Sequence, residues 1–268
     1  MLRLHTITLF FSASLLAACG EQRQPMEIQF AAVFGDSEIS CAENDAGVGL
    51  SDLRFFVHDV RLQTANGQEA QLALTPRTGW QTASVALIDL EDGRQGCVNG
   101  SPQTNVLLQG TVAAGTYTGL SFQIGVPEDL NHADPLYADA PLSQSAMHWH
   151  WRSGYKFMRA GFRQGLDGAW LHLGSAGCHG TIGNLSGCDL SNRPSVSLPD
   201  FDTQQHAVAL DLQRLFADSS PGDGVIDSCQ MGPDERVCDV IAVALGLDPV
   251  NGTSAKPAQA FKRIELKQ

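Results

Sequence analysis

The run Met147-His148-Trp149-His150-Trp151 puts a thioether, two imidazoles and two indoles next to one another, the densest grouping of metal-binding and redox-active side chains in the sequence. On a strand, a period of two sends Met147, Trp149 and Trp151 to one face and His148, His150 and Arg152 to the other. An H-x-H pair on one face chelates zinc or copper through two imidazoles, and a neighbouring strand can supply a third ligand. Arg152 in the same row works against that, because a nearby cation weakens metal binding. Two exposed histidines on a wet face are the plain alternative. The opposite face, a thioether beside two indoles, suits core packing as well as it suits a site. Of the eight histidines, His132, His148, His150 and His172 fall within residues 132–172, as do three of the four tryptophans. His58 stands apart, and His179 and His206 lie in no motif and are expected at the surface.

The elements that must carry these residues read as β-structure. Residues 27–33 alternate Ile28, Phe30 and Ala32 with Glu27, Gln29 and Ala31, as an antiparallel strand with one wet face does. Residues 53–62 follow, rich in β-branched and aromatic side chains, and stop before the turn Asn66-Gly67. Further strands are expected at 85–90, 105–112, 117–126, 146–151, 155–162, 169–173 and 206–212, with Gly and Pro in nearly every gap. Many short strands separated by turns imply an all-β, antiparallel sandwich or barrel-like single domain rather than a parallel sheet with crossover helices. One helix is expected at 233–245, with Pro233 at its start, Asp234 and Glu235 in its first turn and Gly246 as a stop. The acids Asp218, Asp223 and Asp227 lack the spacing and closing Glu of a helix-loop-helix calcium site.

The chain has 268 residues, 43% hydrophobic and 17% charged, enough to bury a core. Its formal charge of −12 repels phosphate backbones, which argues against nucleic acid as a partner. After Arg3, an apolar run from Leu9 to Ala18 has the layout of a secretory signal over 1–18. Leu16-Ala17-Ala18-Cys19 resembles a bacterial lipobox, so Cys19 is the expected lipidation site and 19–26 a lipidated tether ahead of a β domain at 27–268. Removing Arg3 with the signal leaves 16 basic against 29 acidic residues, a net −13. The implied location is the periplasm, with attachment to the outer membrane by the lipid anchor alone. There the six remaining cysteines would be oxidised. Six permit 15 pairings; spacing suggests Cys178 with Cys188, Cys229 with Cys238, and Cys41 with Cys97 by elimination. The long loop constrains the unfolded chain most, by about 4 kcal/mol. No C-x-x-C pair occurs, which argues against a zinc site built from these cysteines.

Several ordered motifs carry a family resemblance: Leu130-Asn131-His132-Ala133-Asp134-Pro135; Met147-x-Trp149-x-Trp151-x-x-Gly154-Tyr155-Lys156-Phe157; His172-Leu173-Gly174-Ser175-x-Gly177-Cys178; and Cys229-x-Met231 to Cys238 with Leu245-Gly246-Leu247. With Leu53-Arg54-Phe55-Phe56-Val57 and Gly125-Val126-Pro127, they resemble the MbnP family over nearly the whole mature chain. These are periplasmic copper-binding proteins encoded beside methanobactin genes, also found in metallo-mystery pairs with a four-cysteine motif. The resemblance implies a MauG-like dihaem c-type peroxidase partner (MbnH type) that oxidises a tryptophan of this chain to kynurenine, on which copper binding depends. An indole N–H only donates, whereas ring opening yields an arylamine and a ketone with usable lone pairs. Trp149, central in its motif, is the first choice and Trp151 the second. His132 and His172 fall inside the shared motifs as ligands, with Met147 as a soft addition, a set suited to Cu(I). His148 and His150 sit at variable positions and are second choices with His58, which departs from the family pattern. His132 can equally brace a turn, and His172 can be a satisfied histidine beside the Cys178 loop. Lys156 and Tyr155 are expected to be structural, the lysine stem covering apolar surface and the tyrosine anchoring a sheet edge.

Three functions follow from these readings. The first is an exported copper-binding or storage protein, not an enzyme, matured by its redox partner. The second is a metal-dependent periplasmic enzyme using the His148 and His150 face, against which no nucleophile elbow, H-E-x-x-H or paired-carboxylate motif is present. The third is a non-catalytic structural lipoprotein sandwich whose tryptophans are core.

Overall fold

Two sheets packed face to face make the body of the computed structural model, which describes residues 22–217, 226–231 and 238–267. One sheet runs in the order Phe261–Glu265, His206–Asp211, Arg23–Phe34, Leu107–Ala113, Ala73–Leu74, with Ser37–Glu38 on the end of Arg23–Phe34. The other runs Ser195–Pro199, Gly119–Ile124, Val48–Gln63, Met158–Gln164, Asp167–Leu173, Ile226–Cys229; Glu69–Gln71 and Ala86–Asp89 also pair with Val48–Gln63. Among the described residues the fold is mostly β and sandwich-like, with few and short helices and no closed barrel.

Alternation explains the join between the layers. Phe30 and Phe261 point inward from the first sheet and meet Phe55 and Phe122 from the second, edge to face, with centroids 5.7 to 5.9 Å apart. Each such pair is worth about 0.5–1.5 kcal/mol beyond its buried area. Val48–Gln63 is buried on both faces through most of its length. Its inner face carries Leu53, Phe55 and Val57. Its outer face carries Asp52, Arg54, Phe56 and His58, and the segment from Pro127 to Phe157 covers them: the Phe56 N–H donates to the Phe157 carbonyl at 2.9 Å, and the Phe56 ring packs on Tyr155 at 5.9 Å.

The structure corrects several boundaries. The first strand starts at Arg23 and pairs from there with Ala113, so residues 23–26 belong to the sheet and not to a tether. Residues 146–151 are not one strand. Ser145–Met147 is a 3-10 turn, only His148–His150 is extended, and Trp151 begins a turn. The expected strand at 155–162 divides into Gly154–Tyr155 and Met158–Gln164. The hairpin Ala176–Thr181 with Asn184–Leu190 was not foreseen, and neither were the parallel pairings of Arg23–Phe34 with His206–Asp211 and of Asp167–Leu173 with Ile226–Cys229. Of the expected C-terminal helix, Asp239–Ala244 is helical, while residues 233–237 lie outside the described residues. The signal segment, Cys19 and the acids Asp218 and Asp223 also lie outside them. Three disulfides join Cys41 to Cys97, Cys178 to Cys188 and Cys229 to Cys238, the pairs that loop spacing suggests. Among the described residues, no helix is long and apolar enough to cross a membrane.

Candidate metal centre

The covering segment is held down by backbone bonds that the motif residues make possible. Asn131 is fully buried, and its Oδ1 accepts the Tyr155 N–H at 3.1 Å. Gly154 lies against it at φ +72°, where a Cβ would come within 2.3 Å of the Asn131 carbonyl; only glycine fits there. The Lys156 N–H donates to the Met147 carbonyl, and its Nζ donates to the carbonyls of Ala146 and His148 at 3.0 and 3.2 Å. Burial pulls the Lys156 ammonium down to about 8. Tyr155 is fully buried, its ring edge on to His148 at 5.1 Å, and burial raises its phenol to about 12.

A buried ionic network under this segment fixes it to the central strand. Arg54 grips Asp52 with two bonds of 3.1 Å and faces Glu91 at 2.9 Å. Arg159 also pairs with Asp52, and its other terminal nitrogen donates to the Ala146 carbonyl at 3.2 Å. Burial pushes the Asp89 and Glu91 carboxyls up to about 7 against the pull of Arg54. The sequence offered one sign of this network, Asp52 and Arg54 two apart on the same face of a strand otherwise apolar.

A cavity of roughly 990 Å³ opens beside the segment. Its walls include His132, His148, Trp151 and Asp134 on one side, and Ile182 and Leu185 of the disulfide-pinned hairpin on the other. His132 Nδ1 lies 3.2 Å from the Trp151 carbonyl, which only accepts, so the proton sits on Nδ1 and the lone pair on Nε2. That Nε2 accepts from the Asn131 side-chain amide at 3.2 Å. The Nδ1 bond to Trp151 can brace the turn while Nε2 serves a metal, provided that the metal displaces the Asn131 amide from Nε2. His148 Nε2 is buried with no hydrogen-bond partner. Burial lowers the basicity of both imidazoles, and for His148 the neighbouring His150 and Lys156 add to the effect. Both rings thus favour the neutral form that binds metal.

The other expected residues divide away from this cavity. His172 lies between Trp170 and Trp149, at 4.7 and 6.4 Å between centroids, where burial and then Arg159 and Lys156 drive it down to about 4. Trp149 packs on Gly174, where a Cβ would stand 2.5 Å from the indole, with Lys156 Nζ 6.0 Å above its ring. Trp151 is capped instead by Arg152 at 5.0 Å. Met147 is fully buried in the core. His150 is exposed and bonds Ser153 at 3.0 Å, so the H-x-H pair does not present two imidazoles to one site. His58 is buried beneath Pro127, with Nδ1 donating to the Gly125 carbonyl at 2.8 Å, and lines a separate depression. His179 is exposed beside Asp189 as expected, but His206 is buried, its Nδ1 accepting from the Asp202 N–H and its Nε2 3.3 Å from the Glu265 carboxylate.

An orphaned, neutral, buried imidazole nitrogen beside a second neutral imidazole and an indole fits a soft, low-coordinate cation such as Cu(I). The sequence model of the MbnP family matches residues 23–231. Among curated proteins, none matches the chain. Among solved structures, the chain is similar to MbnP from Methylosinus trichosporium, at 28% identity and a TM-score of 0.78, covering 92% of this chain and 100% of that one.

Proposed function

The chain belongs to the MbnP family of methanobactin-associated proteins, and on that premise we propose that it is an exported copper-binding protein matured by oxidation of one tryptophan to kynurenine. The oxidant is a MauG-like dihaem c-type peroxidase (MbnH type). The protein itself performs no turnover. It is held in the periplasm through lipid on Cys19, and copper is its cargo, bound or stored. The observation that carries the proposal is the buried, unpartnered Nε2 of His148, which shares its cavity with His132 and Trp151. This favours Trp151 over Trp149 as the oxidised residue and His148 over His172 as the partner of His132. Arg159, which acts on His172 and not on His148, disfavours a further positive charge there.

The chemistry balances with two equivalents of peroxide: the indole loses its C2 carbon as formate, one oxygen is retained as the ketone, and water leaves. The product exchanges a donor-only N–H for an amine and a carbonyl, both with lone pairs toward copper. Protein coexpressed with the peroxidase is expected to retain one copper per chain through desalting, and protein made without it is expected to lose the metal. Equal copper in the two preparations would sink the maturation step while leaving the imidazole pair intact.

A further inference from the structure

Across the cavity wall, His132 Nε2 and the sulfurs of Cys178 and Cys188 all lie within 4.8 Å of one another, with Cys188 Sγ 3.7 Å from the nitrogen. We infer that reduction of the Cys178–Cys188 disulfide creates a second metal site, in which two thiolates and His132 Nε2 hold a thiophilic cation of the Cu(I) or Zn(II) class. The inference needs no modified tryptophan, but His132 Nε2 would serve both sites, so the thiolate site and the proposed copper site are occupied one at a time.

The geometry suits such an ion. Metal–sulfur bonds of about 2.3 Å and metal–nitrogen bonds of about 2.0 Å, at tetrahedral to trigonal angles, put sulfur and nitrogen roughly 3.5–3.7 Å apart. The Cys188 to His132 spacing already has that value. The Trp151 carbonyl holds the proton on His132 Nδ1, and the Nε2 lone pair, 3.7 Å from Cys188 Sγ, reaches a metal by giving up the hydrogen bond it accepts from the Asn131 amide. Cys178 and Cys188 face each other directly across the hairpin, so both thiolates stay on adjacent strands after the bond opens.

Accessibility singles out this bridge. Cys188 is half-buried and Cys178 is 9% exposed, on a hairpin whose neighbouring residues are largely exposed, whereas Cys41, Cys97, Cys229 and Cys238 are no more than 3% exposed. Exposed disulfides are the labile ones. A dithiol supplies the two electrons: its thiolate attacks one sulfur, the mixed disulfide resolves, the dithiol leaves as its own disulfide, and the chain gains two thiols. Metal binding then releases their two protons.

Cobalt(II) reports such a site through a thiolate-to-metal charge-transfer band. The full chain, made without the peroxidase, is reduced anaerobically with dithiothreitol, freed of reductant and titrated with Co(II). The expected result is a band saturating at one ion per chain, absent before reduction and absent in Cys178→Ser/Cys188→Ser. His132→Ala keeps both thiols and the fold-restraining hairpin, and should weaken Co(II) binding at least about tenfold. No band in reduced protein, a band that survives the double serine variant, or unchanged affinity in His132→Ala would each overturn the assignment.

Discussion

His148→Ala lowers the copper affinity of the matured protein at least about a hundredfold, a loss no smaller than that seen when only an outer-shell partner of a metal ligand is removed. The size follows from the site: His148 brings a neutral nitrogen, buried and unpartnered, with its ring packed edge to face on Tyr155 at 5.1 Å. His150→Ala is the matched control. Its ring is exposed and bonded to Ser153, so its removal shifts binding by no more than about 0.5 kcal/mol. Competition titration against a chromogenic Cu(I) chelator reads both. If His172→Ala proves more damaging than His148→Ala, the ion belongs with Trp149 and His172 instead of in the cavity.

Asp52→Ala destabilises the fold by about 3–5 kcal/mol, the usual cost of breaking a buried ion pair from one side. Asp52 neutralises two buried guanidinium groups at once, Arg54 and Arg159. Its loss leaves Arg54 with Glu91, whose carboxyl burial already pushes toward the neutral form, and leaves Arg159 without its carboxylate. For a chain of this size the melting temperature falls on the order of 10 °C. Denaturant unfolding measures the change directly. Asp59→Ala removes a half-exposed partner of Arg61 and costs less than about 1 kcal/mol. A similar small loss at Asp52 would show that the network is solvated in practice. The same substitution releases Arg159 from beneath the Ala146 carbonyl, so copper binding should weaken along with the fold.

Much of the scaffold was legible because its residues obey one rule at a time. Ile28 and Phe30 alternate and are buried on one face; Leu53 to Leu62 is apolar enough on both faces to be central; turns fall at Gly and Asn. The failures occur where two rules compete. Aromatic residues at 146–151 imitate a strand, yet the Lys156 and Arg159 bonds to the carbonyls of Ala146, Met147 and His148 hold the segment as a turn, a short strand and another turn. That change in backbone puts His148 and Trp151 on the same cavity when strict alternation would have put them on opposite faces. The hairpin wall escaped notice because Gly177, Gly180, Gly183 and Gly187 erase any alternation, and only the Cys178–Cys188 bridge marked it. Parallel pairing of Arg23–Phe34 with His206–Asp211 joins residues far apart in the chain and leaves no local signature.

At the candidate site, the sequence motifs and the packing single out different sets of residues. Shared motifs favoured His132, His172 and Trp149, while three-dimensional packing divides them: His132 faces the cavity, and His172 and Trp149 pack on each other under Lys156. The position of His148, variable in the motif, was the weaker sequence signal and became the stronger structural one.

Peptide mass spectrometry of the chain coexpressed with its dihaem peroxidase addresses the copper-site proposal most directly. The peptide spanning residues 146–152 should carry one tryptophan that has lost a carbon and gained an oxygen, with fragment ions placing the change at Trp151. An unmodified peptide, under conditions where the peroxidase is loaded with haem and supplied with peroxide, would contradict the proposal.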